Sequence, residues 1–85
     1  MVNHDLWRVA AKGILKALGE ELRDRREAKG LSQEALADRA GLHRNFIGLM
    51  ERGQRNSTLI TLDAVAGALK VRVSDLVVGA ERRQR

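Results

Sequence analysis

The sequence predicts an all-α chain of five short helices, on three observations. Apolar residues recur at three-to-four spacing through most segments, nothing alternates as a strand would, and eight glycines punctuate the chain at intervals of about one short helix. At 85 residues there is room for one domain with a modest core, which favours a binding surface over a deep cavity. Trp7 and Phe46 are the whole aromatic complement, so the core must be made of Leu, Val, Ile and Ala.

The first helix is expected from about Asp5 to Lys29, with Leu6, Val9, Ala10, Ile14, Ala17, Leu18 and Leu22 forming an apolar stripe that Gly13 and Gly19 are placed to interrupt. Its second half, Glu20 to Glu27, is densely charged, with opposite signs three and four residues apart, as on a solvated helix face. Gly30 suits a left-handed C-terminal cap. Ser32 suits an N-cap for a second helix, Gln33 to about Arg39, with Ala35, Leu36 and Ala40 inward; Gly41 closes it. A third helix begins near His43 and ends near Arg52 at Gly53. Two short helices joined by a tight glycine-containing turn are the helix-turn-helix unit. A polar loop, Gln54 to Thr58, leads to a fourth helix at about Leu59 to Leu69, with Leu59, Leu62, Val65, Ala66 and Leu69 on one face. Ser74 and Asp75 open a fifth helix that runs toward Gly79, leaving Glu81 to Arg85 as a charged tail.

Sixteen Lys and Arg, most of them Arg, stand against eleven Asp and Glu for a net charge of +5. Guanidinium groups bind phosphates and guanine edges as a bidentate fork, so an arginine-rich excess points toward nucleic acid, a soluble basic surface being the plain alternative. The absence of cysteine removes disulfides, thiolate metal sites and cysteine nucleophiles and suits a reducing cytoplasm. No apolar run approaches the roughly 20 residues of a membrane span, and the N-terminus does not read as a secretory signal. His4 and His43 lack neighbouring ligands and read as surface or capping residues, so neither metal nor cofactor is expected. No serine sits in a nucleophile setting, and no enzyme activity is expected.

At 3.6 residues per turn the third helix separates into two faces. Ile47, Met50 and Phe46 face inward, while Arg44, Asn45, Gly48, Leu49 and Arg52 share the outer side. Arginine pairs with guanine O6 and N7, asparagine with adenine N6 and N7, and leucine touches a thymine methyl, so Arg44, Asn45, Gly48 and Leu49 form a candidate base-contacting set. The glycine would let the helix approach a groove wall. Arg52, Arg55, Asn56 and Thr58, together with Ser32 and Gln33, are candidate phosphate contacts on either side. An ordinary amphipathic helix with a wet outer face is the competing reading.

The run Gly30-Leu31-Ser32-Gln33-Glu34-Ala35-Leu36-Ala37, then Ala40-Gly41-Leu42, Ile47 and Glu51-Arg52-Gly53, closely resembles the Cro/CI-type, or XRE-like, helix-turn-helix family over about Leu18 to Val77. The stretch Leu42 to Ile47 with Glu51 to Asn56 further resembles restriction-modification controller proteins. The resemblance implies a five-helix domain at 18–78 with a helical extension at 1–17 and a basic tail at 79–85. It implies that Gln33 meets phosphate through its side chain and the helix N-terminus, that Arg44, Asn45 and Leu49 read bases, and that Arg26 and Glu51 form a salt bridge between the first and third helices. Gly48 departs from the larger residue common there, and Ser57 stands where proline is frequent.

The expected activity is sequence-specific binding of double-stranded DNA by a homodimer on a pseudo-palindromic operator. Such a protein regulates transcription, its own included, by blocking or recruiting RNA polymerase. Trp7 and Ile14 on the extension, or Val73, Val77 and Val78 on the last helix, are the candidate dimer residues, the plain alternative for the extension being that its apolar stripe caps the monomer's own core. Two alternatives remain: an antitoxin-type module that docks and neutralises a protein partner, and a non-specific nucleic-acid binder working by charge alone.

Overall fold

The computed structural model describes residues 4–84, and the side chains of all of these except His4, Asp5 and Trp7. Five α-helices follow one another: α1 (His4–Ala28), α2 (Gln33–Ala40), α3 (Arg44–Glu51), α4 (Leu59–Leu69) and α5 (Val73–Arg83). No strand occurs among the described residues. The fold is all-α, as the periodicity predicts.

α1 packs against α3 and α5, and α2 against α3 and α4. Leu22, Leu36, Ile47, Val65, Leu69 and Leu76, one or two from each helix, are fully buried and form the centre of the core. Each such side chain contributes on the order of 2 kcal/mol of transfer free energy. Phe46, Leu62 and Val71 pack around them partly buried, so the fully buried centre is without aromatics and one aromatic ring lies at its edge.

Three details differ from the sequence expectation. α1 runs unbroken through Gly13 and Gly19. Gly19 serves a close approach: a Cβ there would lie 2.5 Å from the carbonyl oxygens of both Met50 and Glu51, so α1 meets the end of α3 backbone to backbone. At its other end α1 extends past the body. Its 25 residues make a helix of about 37 Å, close to the 44 Å longest dimension of the molecule. Leu6 and Val9 are therefore two-thirds exposed, while Ile14 is half-buried against the chain's own core.

α4 has the expected bounds, but Leu59 is 69% exposed and does not join Val65, Ala66 and Leu69 inside. It lies in the first turn, before the helix reaches the core. α5 starts at Val73, where the Asp75 carboxylate accepts from the Arg72 N–H at 2.9 Å, and continues to Arg83. The expected stop at Gly79 and the charged tail behind it are corrected accordingly. Gly79 is an interior helix residue whose missing side chain admits the Glu21 carboxylate of α1, and Arg83 is bound to α1.

Candidate nucleic-acid interface

The relation of α2 to α3 is set by short polar contacts. Ser32, in an extended conformation, caps α2 by accepting from the Ala35 N–H at 3.0 Å. Gly41 then takes the left-handed φ of 70° that reverses the chain within a few residues. His43 caps α3, its Nδ1 accepting from the Asn45 N–H at 3.1 Å. Behind both helices Arg26 meets Glu51 in a bidentate pair, Nε to Oε2 at 2.6 Å and Nη2 to Oε1 at 3.0 Å. The remaining groups are used as well: Arg26 Nη1 donates to the Leu31 carbonyl at 2.8 Å, and Gln33 Nε2 donates to Glu51 Oε1 at 3.1 Å. The hydrogen bonds to Glu51 raise the Arg26 pKa above its ordinary value against the opposing effect of burial. One buried ion pair thus joins α1, the entry to α2 and the exit of α3.

Gln33, Arg44, Asn45, Gly48, Leu49 and Arg52 line one shallow groove along the outer side of the α2–α3 unit. Arg44 and Asn45 are exposed, and Leu49 is half-buried. Gly48, expected among the base-contacting residues on the surface, is instead buried beneath neighbouring side chains and forms the floor of the groove. Its missing Cβ would lie 3.2 Å from Arg52 Nη1 and 3.6 Å from Gln33 Oε1. Arg52 is held in turn by Gln54, Nε to Oε1 at 3.0 Å.

The flanking donors are more committed than the sequence suggested. Thr58 caps α4 by accepting from the Thr61 N–H at 3.1 Å, and Ser32 and Gln33 are engaged as described. The Arg55 guanidinium lies 4.1 Å from the Phe46 ring centroid, a cation–π contact that orders the loop after α3 against the helix itself. No periodic pattern links positions 46 and 55, or 52 and 54, so these contacts left no trace in the sequence. Asn56 is exposed.

Residues 22–76 match the helix-turn-helix family. Control protein C.SmaI of Serratia marcescens is 47% identical over 64 residues, which cover 75% of this chain and 76% of that protein. The chain belongs to the helix-turn-helix family. The crystal structure of the restriction-modification controller protein C.AhdI from Aeromonas hydrophila is 47% identical, with a TM-score of 0.72 over 73% of this chain and 94% of that one. The controller protein C.Esp1396I, solved as a tetramer in complex with its natural 35 base-pair operator, superposes with a TM-score of 0.76 at 27% identity over 84% of this chain and 93% of that one.

The candidate dimer residues of this helix-turn-helix protein fall into two places. The Trp7 side chain lies outside the described residues, and Ile14 is partly taken up by the core. Val77 and Val78 are exposed on α5, and half-buried Val73 lines an apolar groove with Leu59 and Ile60 of α4. Ile60, 84% exposed, is the most exposed of the large hydrophobic residues described and was absent from the candidate set. Its place in the first turn of α4, just after the polar loop, was the available signal.

Proposed function

We propose that this protein binds a specific double-stranded DNA operator as a homodimer in the cytoplasm and regulates transcription there, its own gene included. Binding, not catalysis, is its activity. The observation that carries the reading is Arg44 and Asn45, exposed on a short helix whose orientation the buried Arg26–Glu51 pair fixes. A guanidinium and a carboxamide side by side on one helix face suit guanine and adenine edges in a major groove, and Leu49 suits a thymine methyl. The operator complex of the similar controller protein supports the same use of the scaffold.

Ser32 and Gln33 would meet phosphate through the first backbone N–H groups of α2, since their side chains are already bonded. Arg55, Asn56 and Thr58 would hold the next phosphates on the far side of α3. Two copies joined through Val77, Val78 and the neighbouring Leu59–Ile60–Val73 groove would present two α3 helices to successive major grooves, about 34 Å apart. Bound at a promoter, such a dimer blocks or recruits RNA polymerase.

Fluorescence anisotropy on duplex DNA from upstream of the gene, against a scrambled duplex at roughly 0.15 M salt, tests the reading. The expected result is tight preference for the upstream duplex. Equal, weak and salt-sensitive binding to both would overturn it in favour of charge alone.

A further inference from the structure

Gly48 is an interior helix residue with no positive φ to require glycine, and the side chains that a Cβ there would touch are those of Arg52 and Gln33, Arg52 most tightly. Long helical side chains lean back over the preceding turn. The Arg52 guanidinium accordingly lies at the level of residue 48, where an added Cβ would sit 3.2 Å from Nη1 and 3.9 Å from Cζ. Its Nε is tied to Gln54 Oε1 at 3.0 Å, which fixes the plane of the fork. Among the described residues no carboxylate pairs with it, and it lines one groove with Arg44 and Asn45, so its terminal nitrogens are free of a counter-ion there.

From these contacts we infer that Arg52 is a specificity-determining residue, a base reader placed by Gly48 and Gln54, and not only a phosphate contact. The inference rests on the DNA-binding reading above. Position 48 lies about 6 Å along the helix axis from position 44, less than two base-pair steps of about 3.4 Å. Arg44 and Arg52 therefore address the same half-site. Arg52 offers its two Nη groups to O6 and N7 of a guanine within two steps of the one Arg44 meets. Glycine at 48 removes a competing side chain and makes room for a longer one from the next turn.

The test begins with selection of preferred sites from a randomised duplex pool by the full chain. Anisotropy titrations of single base-pair variants of the selected site follow, across a salt series. Arg52→Lys keeps the charge but not the fork. It is expected to lose about tenfold or more in discrimination at one G·C pair per half-site, with ranking elsewhere and the salt slope unchanged. Gly48→Leu, which displaces the guanidinium without altering Arg52, is expected to lose discrimination at the same pair. The double variant should be no worse than either alone.

If Arg52→Ala instead weakens every duplex alike and lowers the salt slope by about one, Arg52 is a phosphate contact and the inference fails while the DNA-binding reading stands. Retained discrimination at that pair in both Arg52→Lys and Gly48→Leu overturns it equally. If the unaltered chain selects no sequence at all, the DNA-binding reading fails first and takes this inference with it.

Discussion

α1 is tied to the rest of the molecule by charge at two places, and the two ties differ in kind. At the α3 end Arg26 and Glu51 are both buried, with side chains 11% and 4% exposed, and every contact is directional. At the α5 end Glu21 is buried between Arg25 and Arg83, but Arg83 is 29% exposed and fans out to Glu20, Glu21 and Asp24. The first tie is a closed pair in which each charge has one counter-ion, the remaining contacts being to the Leu31 carbonyl and the Gln33 amide. The second is an open cluster in which water and several partners can substitute for one another. Burial therefore decides how much each ionic contact matters, more than the number of contacts drawn.

Breaking the closed pair is expected to have the largest effect. Arg26→Ala or Glu51→Ala leaves a buried charge without its counter-ion and should cost about 3–5 kcal/mol in urea denaturation, enough to unfold much of a marginal domain. A loss under about 1 kcal/mol would show that water reaches the pair and that the contrast is false. Next, Gly19→Val beside that pair should cost about 1–3 kcal/mol, because the added atoms meet the Met50 and Glu51 carbonyls, which are backbone and cannot swing aside. Arg83→Ala in the open cluster should cost about 1 kcal/mol or less, and the loss should shrink further in high salt.

The smallest expected effect is in pH. Burial pushes the Glu21 carboxyl up, but the hydrogen bonds from Arg25 and Arg83 outweigh it and hold the group below its ordinary value of 4.5. A carboxyl whose folded pKa is depressed stabilises the fold above its unfolded pKa and loses that contribution as pH falls through the folded one. Glu21→Gln should therefore be less stable than the parent at neutral pH. The gap should begin to close as pH falls through the ordinary carboxyl value of 4.5 and go on closing below it, as read by thermal melts across the acid range. A gap that widens on acidification would reverse the assigned sign.

The two ties also differ in how far the sequence disclosed them. Arg26 and Glu51 stand in the part of the chain that resembles a known family, and the periodicity of α2 to α4 with Ser32, Gly41 and Gly53 as punctuation set those helices to within a residue or two. The α5 cluster is hidden from the sequence because Gly79 has the look of a helix stop. In the fold it is a contact glycine, and Leu76, Ala80 and Arg83 continue one face at helical spacing straight through it. That spacing was present in the sequence, but a glycine's role depends on what packs against it. The same holds at Gly19, expected to interrupt α1, and at Gly48, expected on the surface. In all three the deciding atoms belong to another turn or another helix.

Arg44 and Asn45 are exposed, whereas Arg26 and Glu51 are each other's buried counter-ion. Replacing an exposed residue usually changes stability by no more than about 0.5 kcal/mol, whereas altering either member of the buried pair endangers the fold until the other changes with it. On the proposed reading, drift in what the groove prefers is therefore open to single substitutions, each leaving a folded protein for selection to act on, while change in the frame beneath calls for paired substitution. Descendants of such a chain are free to diverge in target long before they diverge in shape.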